Sequence, residues 1–165
     1  MAKQPLVSVI VPACNAGRFV GETLASVQSQ TVRDWECVVV DDASTDGTES
    51  VVRRVMAGDD RVRYFRLPFR MGVSSARNRG YLESKRESQF VCFMDADDLW
   101  FEDSLERLLR AMGQIPIGVG VHGLGEFVGV KGDQIAPGAF QAFGRRRLGL
   151  LGGNIEVWPE TAPSC

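Results

Sequence analysis

The sequence predicts an α/β domain: a mostly parallel central sheet flanked by helices. Three observations predict it. The apolar runs VSVIV, CVVV and FVCFM are near-continuous rather than alternating, as expected of strands buried on both faces. Between them lie segments whose apolar residues recur at helical spacing. The two kinds of segment alternate along the chain, which is the pattern of parallel strands joined by crossover helices.

Each element has its own signal. Leu6 to Val11 is a run with Val and Ile closed by Pro12, a strand. Phe19 to Gln30 places Phe19, Val20, Leu24 and Val27 on one helical face. Trp35 to Val40 is a second strand, ended by Asp41 and Asp42. Asp46, with Glu49 three residues on, reads as the N-cap of a helix running to Gly58. Val62 to Leu67 is a third strand, bounded by acids before it and Pro68 after it. Val73 to Lys85 reads as a helix, Phe90 to Met94 as the fourth strand, and Glu102 to Met112 as another helix. After Gly113 the chain becomes Gly-rich, with short strands expected at Val119 to His122, Glu126 to Val130 and Ile155 to Trp158. Arg145, Arg146 and Arg147 form a basic triplet, read as a solvated turn in preference to a phosphate or lipid contact.

Composition narrows the function. The chain has 165 residues, about one domain's worth, and its 44% hydrophobic content suffices for a core. A net charge of −2 gives no electrostatic reason to expect nucleic acid as a partner. No apolar run approaches the roughly 18 residues of a membrane span. The N-terminus lacks a signal-peptide cleavage pattern, so a cytoplasmic location is expected, with peripheral association at the inner membrane face left open. The four Cys (14, 37, 92 and 165) show no paired spacing, which argues against zinc and redox motifs. Cys37 and Cys92 lie inside strand patterns and are expected to be buried free thiols. His122 is the sole histidine and reads as structural, so a Ser-His-Asp triad and histidine metal clusters are not expected.

Three segments carry chemistry. FVCFMDADDLW sends a buried strand into Asp95, Asp97 and Asp98. Charge of that density is costly to bury, so these acids belong at the strand exit, facing water or a cation. Asp95 and Asp97 form an Asp-x-Asp pair, the hard oxygen donors that Mg²⁺ and Mn²⁺ take together with substrate phosphates. An acidic turn capping the next helix is the competing reading. VVVDDASTDGT, from Val38 to Thr48, reads as strand, turn and capped helix, yet leaves two adjacent acids at a strand exit. Such an acid can accept hydrogen bonds from a base or a ribose. GVSSARNRG, from Gly72 to Gly80, reads as a helix start capped by Ser74 or Ser75. It also offers a small-residue N-terminus to an anion, with Arg77 or Arg79 adding a charge-assisted contact. It is neither a P-loop nor a dinucleotide fingerprint. Pro12 to Asn15, Asp41-Asp42 and Asp95 to Asp98 all fall at carboxyl ends of strands, where open α/β sheets bind ligands.

In order and spacing, VSVIVPACNAGRFVGETLASVQSQTVRDWECVVVDDASTDGT, then GVSSARNRG, then FMDADD, resemble the nucleotide-binding half of family 2 glycosyltransferases. These have the GT-A fold, a Rossmann-like nucleotide-diphospho-sugar transferase architecture. The resemblance is close over residues 5 to 112 and looser through VHGLGEFVGVKGDQIAPGAFQAFGRRRLGL. It implies a sugar-nucleotide (donor) half at 1–112 and the start of an acceptor half at 113–165. It further implies that Pro12, Ala13 and Asn15 line the nucleotide pocket and that Asp42 contacts the base. Gly72 and Asn78 then lie near the sugar-diphosphate. Asp95, Ala96 and Asp97 form the DXD motif, with Asp97 the direct ligand of Mn or Mg and Asp95 nearer ribose and metal. Cys14 stands where relatives often carry an aromatic residue, and Glu22 is a further contact weighed against an exposed helix position.

The implied reaction moves a sugar from a nucleoside-diphosphate sugar to an acceptor hydroxyl, metal-assisted and inverting, in glycan biosynthesis for the cell envelope. The acceptor is a glycan, a lipid-linked glycan or a protein. In relatives the base is an acid downstream of DXD, often in a Glu-Asp pair. None follows Asp103, and Glu126, Asp133, Glu156 and Glu160 are isolated. The chain therefore reads as truncated before the base. A non-catalytic nucleotide-diphosphate-binding module of the same fold is the alternative. A nucleotidyltransferase is disfavoured because PACNAGRF has one Gly and one Arg where a Gly-rich basic loop is expected. A purely structural domain leaves the convergence of acids unexplained.

Overall fold

A computed structural model describes residues 5–113, 120–128 and 134–145. The elements are β1 (Val7–Ala13), α1 (Val20–Gln28), β2 (Trp35–Asp41), α2 (Thr48–Met56), β3 (Val62–Arg66), α3 (Val73–Glu83), β4 (Phe90–Phe93), α4 (Ser104–Gly113), β5 (Gly120–Val128) and β6 (Gln134–Arg145). They build one sheet in the order β3-β2-β1-β4-β6-β5. The first four strands are mutually parallel, as the apolar runs predict. β6 then pairs antiparallel with β4, and β5 antiparallel with β6. The sequence pattern does not foretell β6. The two short strands expected near 119–130 are one strand, β5. The Ile155 to Trp158 strand, Arg146 and Arg147 lie outside the described residues.

The strand period of two sorts the core. Val7, Val9 and Val11 of β1, with Trp35, Cys37 and Val39 of β2, pack on one face with Val20, Leu24 and Val27 of α1 and Leu105, Leu108 and Met112 of α4. Val38 and Val40 point to the other face, against Ala76 of α3. Each fully buried aliphatic side chain of this kind contributes about 1.5–3 kcal/mol. α3 lies so close to the sheet that a Cβ at Gly80 would overlap the Ile10 Cγ2 methyl and sit 3.3 Å from Val40 Cγ2.

β1 runs through Pro12 rather than stopping before it. Ile10 O accepts from Met94 N, so even-numbered residues of β1 turn their backbone groups towards β4. β4 ends at Phe93, opposite Ile10. The N–H that Pro12 lacks therefore faces the β4 side and its loss interrupts no bond to β2.

Two carboxylates of the β2 segment hold α3 at its two ends. Buried Glu36 accepts from Ser8 Oγ (2.7 Å), from the Lys85 amide and from Arg63 Nη1 (3.3 Å), which ties down the chain leaving α3. Asp42 holds the other end.

Candidate functional site

The order β3-β2-β1-β4 reverses direction beside β1. A ligand crevice therefore opens at the carboxyl ends of β1 and β4. A pocket of about 70 Å³ lies at the carboxyl end of β1, between the segment after β2 and α3, lined by Pro12, Ala13, Cys14, Asp42, Val73 and Ala76. The predicted residues Pro12, Ala13 and Asp42 thus share one cavity, and the exposed Cys14 stands at its edge.

The adjacent acids after β2 do different work. Asp41 is fully buried. Its Oδ1 accepts from the Ser44 amide (2.7 Å), and its Oδ2 accepts from Tyr64 Oη and from Arg66 Nη1 (3.1 Å). Burial, and then the bond to Asp41, push the Tyr64 hydroxyl pKa well above its ordinary value, so it stays a donor. Asp42 turns to the pocket. Its Oδ1 accepts from the Met71 amide (2.6 Å) and its Oδ2 from the Gly72 amide (2.9 Å). Ala43 follows at φ 54°, a left-handed conformation costing an alanine about 1–2 kcal/mol. The Asp41–Ser44 bond closes that turn.

Gly72, at φ 87° and ψ 161°, is the N-cap of α3, in a region open in practice only to glycine. Neither Ser74 nor Ser75 caps the helix; Ser75 Oγ donates back to Met71 O (2.8 Å). The predicted approach of an anion to this helix start is first met by the chain itself, because the Asp42 carboxylate sits there. Gly80, at the far end of the GVSSARNRG motif, serves close helix–strand packing.

Asn15, also left-handed at φ 51°, joins a clasp between the loops after β1 and β2. The amides of Asn15, Ala16 and Gly17 donate to Ser44 Oγ (2.8 Å), Thr48 Oγ1 (2.9 Å) and Asp46 Oδ2 (2.9 Å). Asn15 Oδ1 accepts in return from the Thr45 amide (2.9 Å). Asn15 is thus placed at the clasp and not in the pocket lining. The Thr48 hydroxyl first, then the Thr48 and Gly17 amides, hold the Asp46 carboxyl below its ordinary range. The expected capping box is absent. α2 begins one residue later, after Gly47, and Glu49 turns to Arg53 (2.8 Å) and Arg66 (3.6 Å).

Beyond β4, Met94 continues the pairing and Asp98 N donates to Asp95 O (3.2 Å), making a turn. Ala96 is buried, its carbonyl accepting from Thr23 Oγ1 of α1 (2.8 Å), while Asp95 and Asp97 on either side are exposed. Asp95 Oδ1 accepts from Arg77 Nη2 at 2.8 Å. Arg79 instead pairs with Glu83 (2.6 Å), so of the two arginines the acid meets Arg77. No group of three or more His, Cys, Asp or Glu residues able to hold a metal occurs among the described residues. Two exposed hard-oxygen donors do fit Mg²⁺ or Mn²⁺, ions that take one or two carboxylates plus substrate phosphates.

Asn78 is exposed on α3 outside the pocket lining, and Glu22 is exposed in the first turn of α1. Sequence reading missed Val73 and Ala76 as pocket walls and Arg77 as the specific partner of Asp95. Their i, i+3, i+4 spacing on α3 was the available signal. Cys37 and Cys92 are buried free thiols, as predicted, with pKa values raised by burial. Asp133, Glu156 and Glu160 lie outside the described residues.

A model of the family described as glycosyl transferase family 2 matches residues 8–153. The chain belongs to this family. Among curated relatives, this family 2 chain is 38% identical over 109 residues to the putative teichuronic acid biosynthesis glycosyltransferase TuaG of Bacillus subtilis, a match covering 66% of the chain and 42% of TuaG. It is 33% identical over 107 residues to the UDP-Glc:alpha-D-GlcNAc-diphosphoundecaprenol beta-1,3-glucosyltransferase WfgD of Escherichia coli, covering 65% of the chain and 41% of WfgD. The chain spans less than half the length of these two relatives. Among solved structures it resembles the mannosyltransferase PcManGT from Pyrobaculum calidifontis, in complex with GDP-Man and Mn²⁺. The TM-score is 0.62 at 33% identity, covering 70% of this chain and 34% of PcManGT. The fold is of the GT-A type.

Proposed function

We propose that this chain is the donor side of a glycosyltransferase that moves a sugar from a nucleoside-diphosphate sugar to an acceptor hydroxyl with inversion. The observation that carries the reading is a pocket holding Asp42 at the carboxyl end of β1, next to the neighbouring strand β4, beyond whose end Asp95 and Asp97 are exposed. The GDP-Man and Mn²⁺ bound to PcManGT, and the UDP-Glc in the name of WfgD, support the substrate class. The diphosphoundecaprenol acceptor of WfgD and the teichuronic acid of TuaG support a cell-envelope glycan, lipid-linked in the first instance, as acceptor. No described helix is long and apolar enough to cross a membrane.

Asp42 has lone pairs left after its two amide bonds, and they suit a base that donates from a ring N–H. Uracil, thymine and guanine do so; cytosine and adenine do not. Pro12 and Ala13 supply an apolar wall, with Val73 and Ala76 opposite. Gly72 and Asn78 border the sugar-diphosphate. Asp97 and Asp95 would hold Mn²⁺ or Mg²⁺, which when bound supplies charge neutralisation to the leaving diphosphate. Residues 1–112 make the donor half and 113–165 begin the acceptor half. No base for the proton of the acceptor hydroxyl is assigned among the described residues. The chain alone is then expected to bind donor and to transfer poorly.

Calorimetric titration with UDP, GDP, dTDP and CDP, each with Mn²⁺ and again with EDTA, tests the reading. Metal-dependent binding of one diphosphate whose base carries a ring N–H, at least about ten-fold tighter than CDP and lost in Asp97→Asn, is expected. No binding by a folded sample, or indifference to Asp97→Asn, would count against it. Measured turnover on an acceptor, abolished by Asp97→Asn, would overturn the expectation of poor transfer.

A further inference from the structure

Resting on that donor-site reading, we propose that Arg77 is a cationic placeholder for the donor's metal. In the donor-free molecule its guanidinium neutralises Asp95. It yields that carboxylate when a divalent cation arrives with a nucleoside diphosphate, and then turns to the phosphate oxygens.

The geometry sets this up in three ways. First, the Arg77–Asp95 pair, 2.8 Å long, is half open to water, with side-chain exposures of 26% and 51%. Exposed pairs of this kind are weak and readily exchanged. Second, Arg77 Nε is shut off from water and has no hydrogen-bond partner among the described residues. A donor left in that state disfavours the present placement, whereas phosphate oxygens accept from an arginine fork two at a time. Third, Arg77 follows Ala76 and lies one turn beyond Val73 on α3, and both of those line the pocket beside Asp42. The guanidinium therefore changes partner without leaving the site. Arg79 pairs with Glu83 and lies by the Phe65 ring, on another side of α3 from Asp95.

A guanidinium and a divalent cation repel each other, so they compete for Asp95. The cation alone should bind weakly. The diphosphate relieves the competition by offering Arg77 a second anion. Nucleotide and metal thus enter together, and Asp95 is not left uncompensated between turnovers.

The test is a Mn²⁺ titration without nucleotide, following free Mn²⁺ by electron paramagnetic resonance. It compares the wild-type chain with Arg77→Met, Arg77→Gln and Arg77→Lys. The two neutral variants are expected to bind Mn²⁺ about three- to ten-fold tighter than wild type, with Arg77→Lys close to wild type. Both neutral variants should bind UDP or GDP with Mn²⁺ more weakly than wild type. Damage to the fold cannot produce tighter metal binding, so the gain separates placeholder from scaffold. Unchanged or weaker Mn²⁺ binding in both neutral variants, each melting at the wild-type temperature, overturns the proposal. Mn²⁺-dependent diphosphate binding by wild type would in that case leave the donor-site reading standing. Loss of diphosphate and Mn²⁺ binding in a folded wild-type chain overturns both.

Discussion

Gly80→Ala tests the packing that sets the depth of the pocket. In a helix interior this exchange by itself stabilises by about 0.8–1 kcal/mol. Here the added methyl would overlap Ile10 Cγ2 and press on Val40 Cγ2 at 3.3 Å. Ile10 is fully buried and β-branched, so χ1 gives little relief. Overpacking of this kind costs about 1–3 kcal/mol, and the rigid neighbour argues for the upper part of that range. Net destabilisation of about 1–2 kcal/mol follows. Urea unfolding should show a lower midpoint at unchanged slope. The cause is tested by the cycle with Ile10→Ala, which removes the obstructing methyl and alone costs about 2–5 kcal/mol. The double variant should lose at least about 1 kcal/mol less than the sum of the singles. Because Val73 and Ala76 ride on the same helix, Gly80→Ala should also weaken diphosphate binding, and the double variant should recover part of it. A neutral or stabilising Gly80→Ala, or strict additivity with Ile10→Ala, would refute the reasoning.

Two further perturbations follow from strain and charge. Ala43→Gly removes the left-handed penalty of about 1–2 kcal/mol and adds about 0.4–1 kcal/mol of unfolded-state entropy. The expected result is a gain of about 0.5–1 kcal/mol in urea unfolding; a loss would mean that the turn is not strained. Asp59 is held down to about 2 first by its hydrogen bonds to Arg61, with Gln28 adding to them, so its contribution is present above its unfolded value near 3.8 and lost as pH falls towards 2. Asp59→Asn should therefore destabilise by about 1–2 kcal/mol at pH 7. It should also flatten the stability profile between pH 4 and 2, which an unchanged acid slope would contradict.

The parallel sheet was legible because strands buried on both faces must be apolar almost throughout, and CVVV and VSVIV, with Ser8 its one polar residue, are. The sites at strand ends were legible because dense charge has nowhere else to go. Residue type alone did not say which acid does what, and only the family resemblance singled out Asp42. Asp41 and Asp42 are identical in type and adjacent, and only the positions of Tyr64, Arg66, Met71 and Gly72 separate a fully enclosed carboxylate from one facing the pocket. β6 escaped because QIAPGAFQAFGR has neither an apolar run nor clean alternation, and its strand state comes from the exposed edge that β4 offers. Arg77 and Arg79 look interchangeable as letters; about 100° per residue on a helix puts them on different sides. Pro12 looked like a terminator because a missing N–H normally ends a ladder, and here the neighbouring strand ends first.

The clasp of Asn15, Ala16 and Gly17 onto Ser44, Thr48 and Asp46 has a consequence for engineering. The two loops are one part in two pieces. Each supplies acceptors that the other's amides require, so neither can be exchanged alone. Grafting only the 14–17 segment, or only the 44–48 segment, from a relative would strand donors and tilt the Pro12–Ala13 wall without touching it. A chimera meant to change the bound nucleotide should carry both pieces across together, and amide hydrogen exchange should find them opening as a single unit.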